Sequence, residues 1–159
     1  MGNITNPPPT NRTIELFIPS ELGWERTAME AAASVAKLMG FPIERIEDIK
    51  TAVSEATINA IEHGNSLDAA QKVMIILVPE GETLEINVHD HSSSPFEAAS
   101  DSATVPDIED KLAGFSKTRG WGTFLIKSLV DEVEFTSGSD GNRVRMVIHL
   151  ERQDEVGSR

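Results

Sequence analysis

The chain has no cysteine, which excludes a disulfide framework and any thiolate metal site. Basic residues are scarce as well: 14 Lys and Arg stand against 26 Asp and Glu, a formal net charge of −12. Binding to phosphate backbones or anionic lipid needs clustered Lys and Arg, so neither nucleic acid nor a membrane is an expected partner. Long apolar runs are missing too. The longest strongly apolar stretch, VMIILV at 73–78, falls far short of the roughly 20 residues that cross a bilayer. The opening MGNITNPPPTNR has no basic segment followed by an apolar one, so a signal peptide is not expected. Asn6 stands where an N-myristoylation signal needs a hydroxyl residue. A cytoplasmic location is the expectation.

What is present reads as one globular domain. A chain of 159 residues, 39% hydrophobic and without internal repeats, is large enough to bury a core. The Pro-rich segment within residues 1–12 is expected to be a disordered tail, and residues 151–159 a frayed one. In RTIELFI the alternation of Ile14, Leu16 and Ile18 predicts a half-buried strand ended by Pro19, with Ser20 as a helix N-cap. Helical spacing then runs from Trp24 to Met39, and Gly40 closes it.

A second helix is predicted from Pro42 or Ile43 to about His63. Ile46, Ile49, Val53, Ala56 and Ala60 form its apolar stripe, Glu55, Asn59 and Glu62 a neighbouring one, and Gly64-Asn65 its stop. KVMIILV and TLEINVH read as two strands joined by Pro79–Glu82, and Leu84, Ile86 and Val88 share one face of the second. Residues 90–121 lose periodicity apart from a short helix near Pro106–Leu112; an irregular segment this long suggests a lid or binding loop. A helix in GTFLIKSLVDEV and a hairpin of EVEF, the turn SGSDGN and RVRMVIHL complete the order. The simplest packing is α+β: a two-layer sandwich with helices on one face of a mixed, mostly antiparallel sheet.

Three places carry potential chemistry. In SEATINAIEHGN (54–65), Asn59 is a poor helix former inside an otherwise good helix, and Glu55 sits one turn before it. If both face one pocket, the amide oxygen suits Mg²⁺ and the carboxylate can deprotonate a hydroxyl nucleophile. Asp90, at the end of a strand, can accept a hydrogen bond from an exocyclic amine such as that of adenine. In TRGWGTFLI, Gly120 and Gly122 precede an apolar helix, whose free N–H groups and dipole form an anion site beside Lys117, Thr118 and Arg119. His89 and His91 also suggest a metal pair, but Asp90 between them points to the opposite strand face and no third ligand is near in sequence.

In this order and spacing the three resemble the ATP-binding fold shared by histidine kinases and DNA gyrase, and within it the bacterial anti-sigma factor serine kinases. SEATINAIEHGN resembles the N-box, INVHD the approach to the first glycine box, and RGWGTFLIKSLVDEVEF the second glycine box, over about residues 13–150. The resemblance implies Glu55 as catalytic base and Asn59 as the Mg²⁺ ligand. It implies nucleotide contacts from Asn59, His63, Asp90, Ser92, Ser94, Thr118, Arg119, Gly120, Gly122 and Thr123, with residues 91–119 as a lid. It further implies ATP and Mg²⁺ as cofactors, a sigma factor and an anti-sigma antagonist protein as partners, and a homodimer. The activity it implies is phosphorylation of a serine on that antagonist.

One departure stands out. The family's first glycine box reads D-x-G-x-G, and this chain has Asp90-His91-Ser92-Ser93-Ser94. A non-glycine residue forced into the left-handed region costs about 1–2 kcal/mol. Two such serines would weaken nucleotide binding by about one to three orders of magnitude. The alternative is therefore a non-catalytic partner-switching module that has lost strong nucleotide binding.

Overall fold

A computed structural model describes residues 12–92 and 119–150. The elements run β1 (Ile14–Pro19), α1 (Glu25–Met39), α2 (Ile43–Asn59), a π-helical turn (Ala60–Gly64), β2 (Lys72–Glu80), β3 (Thr83–His89), α3 (Arg119–Leu129), β4 (Glu132–Gly138) and β5 (Gly141–His149). The lid expected at 91–119, the short helix near Pro106 and both tails lie largely or wholly outside the described residues.

The strands form one sheet in the order β1-β2-β3-β5-β4. All four pairings are antiparallel, so the parallel pair that a mixed sheet would contain does not occur among the described strands. Strand alternation sets the two faces. Val73, Ile75 and Leu77 of β2, Leu84, Ile86 and Val88 of β3, and Val144, Met146 and Ile148 of β5 all turn inward and are buried. Against them lie Ala32, Val35 and Ala36 of α1, Ile49, Val53 and Ala56 of α2, and Ile126 of α3. The helices thus cover a single face, as the two-layer expectation requires. On the other face Phe17, Met74, His89, Arg143 and Thr136 fall in one cross-strand row.

Two local expectations are corrected. Ser20 does not cap a helix: its Oγ donates to the Gln71 carbonyl at 2.8 Å, tying the end of β1 to the approach to β2. Helix α1 instead starts after Trp24, which supplies no side-chain cap. Ile14 does not share the burial of Ile18: at the start of the edge strand β1 it is 42% exposed and lines an open hollow with Val35, Leu38 and Met39 of α1. Gly40 closes α1 as expected, with φ +94°.

Candidate active site

The regular part of α2 ends at Asn59, and the chain then takes one π turn before leaving the helix. The Asn65 N–H donates back to the Ala60 carbonyl at 2.8 Å, the wide i to i+5 closure of such a turn. Ahead of this widening, Glu55 and Asn59 sit one turn apart on the same stripe and are both buried, 6% and 9% exposed. Two carboxylate or amide groups this deep need a reason, since burial strips them of water.

The reason faces them across the α2–α3 contact. A Cβ on Gly122 would stand 3.0 Å from Glu55 Oε2, 3.0 Å from Asn59 Nδ2 and 3.5 Å from Asn59 Oδ1. Gly122 therefore allows the first turn of α3 to come down over the pair with no side chain between them. The two glycines lie inside that first turn, not before it as the sequence suggested, because α3 begins at Arg119. This places Gly120 among the residues whose backbone N–H groups lack an intrahelical acceptor, while Gly122, fourth in the helix, closes the turn over the pair. A buried carboxylate, a buried amide and the positive end of a helix thus meet at one place.

Asp90 forms a second cluster. It follows the last residue of β3 and is 5% exposed. Its Oδ1 accepts from the Asn142 N–H at 3.1 Å and the Ser92 N–H at 2.8 Å. Its own N–H donates to the Asn142 carbonyl at 3.0 Å. Two glycines make room for it. A Cβ on Gly64 would collide with the Asp90 carboxylate, chiefly Oδ2, and one on Gly141 (φ +128°) would collide with its carbonyl. Both backbone donors go to Oδ1, so Oδ2 is the oxygen turned toward Gly64.

Asn65 ties this cluster to the start of β2 and the end of β1. Its Oδ1 accepts from the His91 N–H at 2.8 Å, while its Nδ2 donates to Ser20 Oγ at 2.9 Å and to the Lys72 carbonyl at 3.3 Å. Sequence reasoning assigned Gly64 and Asn65 only a helix stop, and Gly141 and Asn142 only a hairpin turn. Their part in holding Asp90 depends on contacts between segments far apart in the chain, and no local pattern signals it.

The remaining expected site residues divide. Thr123 is buried next to Gly122. His63 and Ser92 line a separate polar hollow of about 310 Å³ with Asn65, Ser66, Asp68 and His91, beside the Asp90 cluster. Arg119 and Gly120 open α3. Ser94 and Thr118 lie outside the described residues.

The strain foreseen at Ser92 is absent. Among the described non-glycine residues only Ser66 and Leu67 have positive φ, so Ser92 adopts ordinary backbone and uses its N–H to bind Asp90. No group of three or more metal-ligating side chains forms among the described residues, so the His89–His91 pair gains no third ligand there. His89 lies on the open sheet face, its pKa held below the ordinary value by burial first and then by the Arg143 charge, with His91 adding to the drop and Asp90 opposing it.

Known proteins resemble this chain in sequence and in fold. The model of the histidine kinase-like ATPase domain matches residues 18–148. The serine-protein kinase RsbW of Halalkalibacterium halodurans is 28% identical over 156 residues, covering 92% of this chain and 88% of that protein. The RsbW of Oceanobacillus iheyensis is 30% identical over 78% of each chain. Among solved structures, the RsbU and RsbW domains of a Mycobacterium tuberculosis protein superpose with a TM-score of 0.63 at 19% identity, over 88% of this chain and 33% of that one. A blue-light-activated histidine kinase domain from Erythrobacter litoralis gives a TM-score of 0.54 at 21% identity, over 87% of this chain and 64% of that one. The fold is the same in each.

Proposed function

We infer that this chain, which belongs to the histidine kinase-like ATPase domain family, is an anti-sigma regulatory factor that transfers the γ-phosphoryl group of ATP to a serine of an antagonist protein. The observation that carries the reading is the buried Glu55–Asn59 pair beneath Gly122. Asp90 supports it with an oxygen, Oδ2, turned to the small surface of Gly64, where the exocyclic amine of adenine would donate. The match to the RsbW serine-protein kinases covers most of the chain.

The donor set fits Mg²⁺. This ion takes few protein ligands and keeps substrate phosphates and waters for the rest. Asn59 Oδ1 would be the direct ligand, and a half-turn of the terminal amide exchanges Oδ1 with Nδ2 so that the oxygen faces the glycine turn. When bound, the ion would neutralise charge on the phosphates.

The chain's own residues do the rest. Backbone N–H groups of the first turn of α3 hold phosphate oxygens, which suits a protein that is acidic overall. Glu55 takes the proton of the attacking serine hydroxyl. The hydroxyl oxygen bonds to the γ-phosphorus, the bond to the β–γ bridging oxygen breaks, and ADP leaves with that oxygen.

The partners follow from the same reading: a sigma factor held in an inactive complex and an antagonist that receives the phosphate. We assign the homodimer surface to the open sheet face, where Phe17 is 58% exposed and shares a row with Met74. No described helix is long and apolar enough to cross a membrane, and cytoplasmic action is part of the proposal. The match to the RsbW serine-protein kinases does not favour the non-catalytic alternative, and Ser92, one of the two serines behind it, carries no left-handed strain.

The test is phosphoryl transfer from radiolabelled ATP to a serine-bearing antagonist, comparing the parent with Glu55→Gln. Transfer by the parent that falls at least about a hundredfold in the variant, the size expected of a general base, supports the reading. Equal rates in both would remove Glu55 from the chemistry.

A further inference from the structure

We propose that Arg45 is a positioning residue for this site: from the far end of the α2–α3 pair, it fixes where the glycine turn of α3 stands over Glu55 and Asn59. The proposal rests on the kinase reading above for its catalytic consequence, but its structural part stands on geometry alone.

Arg45 is the third residue of α2. A cation in the first turn of a helix opposes that helix's own dipole, whose positive end lies there. Arg45 therefore does little for α2. Its guanidinium instead reaches the opposite end of α3. One nitrogen donates to the Leu129 carbonyl at 2.7 Å, and the other to Asp131 Oδ2 at 2.7 Å. Leu129 is the last residue of α3, so its carbonyl is among those with no partner inside the helix. A cation is the group that a helix C-terminus favours.

Asp131 is itself held from two sides. Its N–H donates to the Val147 carbonyl at 3.0 Å, and its Oδ2 accepts from the His149 N–H at 2.7 Å. The fork of Arg45 thus joins the start of α2, the end of α3 and the last residue of β5. The geometry is of the two-pronged kind that Arg makes and Lys does not. Asp48 lies 3.4 Å from the same guanidinium, a looser contact.

The two helices run antiparallel, since Gly122 meets Glu55 and Asn59 at one end while Leu129 meets Arg45 at the other. Ile126 packs in the middle, Val130 just past the Leu129 end, and Thr123 beside Gly122. At the glycine end α3 has no side chain on Gly122 to lock it. Seven residues separate Gly122 from Leu129, about 10 Å of helix, so a tilt of about 6° at the clamped end displaces the glycine turn by about 1 Å. A misplacement of that size is enough to cost about a hundredfold in rate.

The experiment uses the full chain and three variants, Arg45→Ala, Arg45→Lys and Asp131→Asn. Phosphoryl transfer is measured as kcat and KM for ATP, and amide hydrogen exchange is followed across α3. Arg45→Ala is expected to lower kcat by about ten- to a hundredfold with a much smaller change in KM. It should also speed exchange at Thr123–Leu125, at the glycine end and remote from the substitution. Arg45→Lys, which keeps the charge without the fork, should recover part of kcat, and Asp131→Asn should fall between parent and Arg45→Ala.

A folded Arg45→Ala with kcat within twofold of the parent, or with faster exchange confined to the Leu129 end, would overturn the proposal. If Arg45→Ala does not fold, Asp131→Asn decides by the same two readouts. A parent that neither binds ATP nor transfers phosphate overturns the kinase reading instead, and the exchange data alone then decide whether Arg45 positions α3.

Discussion

Gly122→Ala separates stability from function, because the two should move in opposite directions. Within a helix, alanine is more favourable than glycine by up to about 1 kcal/mol. At a domain of this size such a gain raises the melting temperature by roughly 2–4 °C. The added methyl would lie 3.0 Å from both Glu55 Oε2 and Asn59 Nδ2. That spacing is tighter than ordinary van der Waals contact, so the side chains or α3 must give by a few tenths of an ångström. A methyl then stands against both polar groups. The loss of a charge-assisted interaction of about 1.5–3 kcal/mol corresponds to roughly ten- to a hundredfold weaker Mg·ADP binding. Calorimetric titration with Mg·ADP and a thermal melt of the same sample read both effects. A variant that melts at or above the parent temperature yet binds ten- to a hundredfold more weakly is the expected result. Parent-like affinity would refute the assignment of Gly122 as the phosphate-side closure of the Glu55–Asn59 pocket.

Three further outcomes are expected. Gly64→Ala forces a Cβ into the Asp90 carboxylate; overpacking of this kind costs about 1–3 kcal/mol, readable by urea denaturation, and ATP affinity should fall with it. His89 has a lowered pKa in the folded state, so the unfolded chain binds its proton more readily. Its contribution is therefore a loss of stability that sets in as pH falls through the unfolded value near 6.5 and is complete below the folded one. Urea midpoints at pH 7.5 and 5.5 should differ less in His89→Gln than in the parent, and an unchanged difference would remove His89 from the effect. Phe17→Glu places a charge on the open sheet face and should convert a dimer to a monomer in light scattering, leaving nucleotide affinity within about twofold. A parent that is monomeric at high concentration would remove that face as the homodimer surface.

Much of the fold was legible because it rests on short-range periodicity. The Leu84, Ile86, Val88 alternation and the stripe from Ile49 to Ala60 both point inward as read. Glu55 and Asn59 were legible as a pair because one helical turn places them together. What escaped depends on distant partners. Ser20 looks like a cap locally, but its hydroxyl finds a carbonyl 51 residues away. Gly64 read as a helix stop and Gly141 as a turn glycine, yet each makes space for Asp90 from a different part of the chain. The π turn after Asn59 has no signature in hydrophobic spacing, since it is the last turn of the segment and no later turn follows to show a displaced stripe. The strain expected from serine in a glycine box assumed a backbone conformation that Ser92 does not adopt.

The central claim is that Glu55, Asn59 and the glycine turn of α3 form a working Mg·ATP site despite the serines that follow Asp90. Isothermal calorimetry of the purified chain with Mg·ATP, with Asn59→Ala as control, tests it most directly. Saturable binding in the micromolar range that disappears in Asn59→Ala is the expected result. No binding heat up to millimolar Mg·ATP, from a protein shown to be folded, would contradict it.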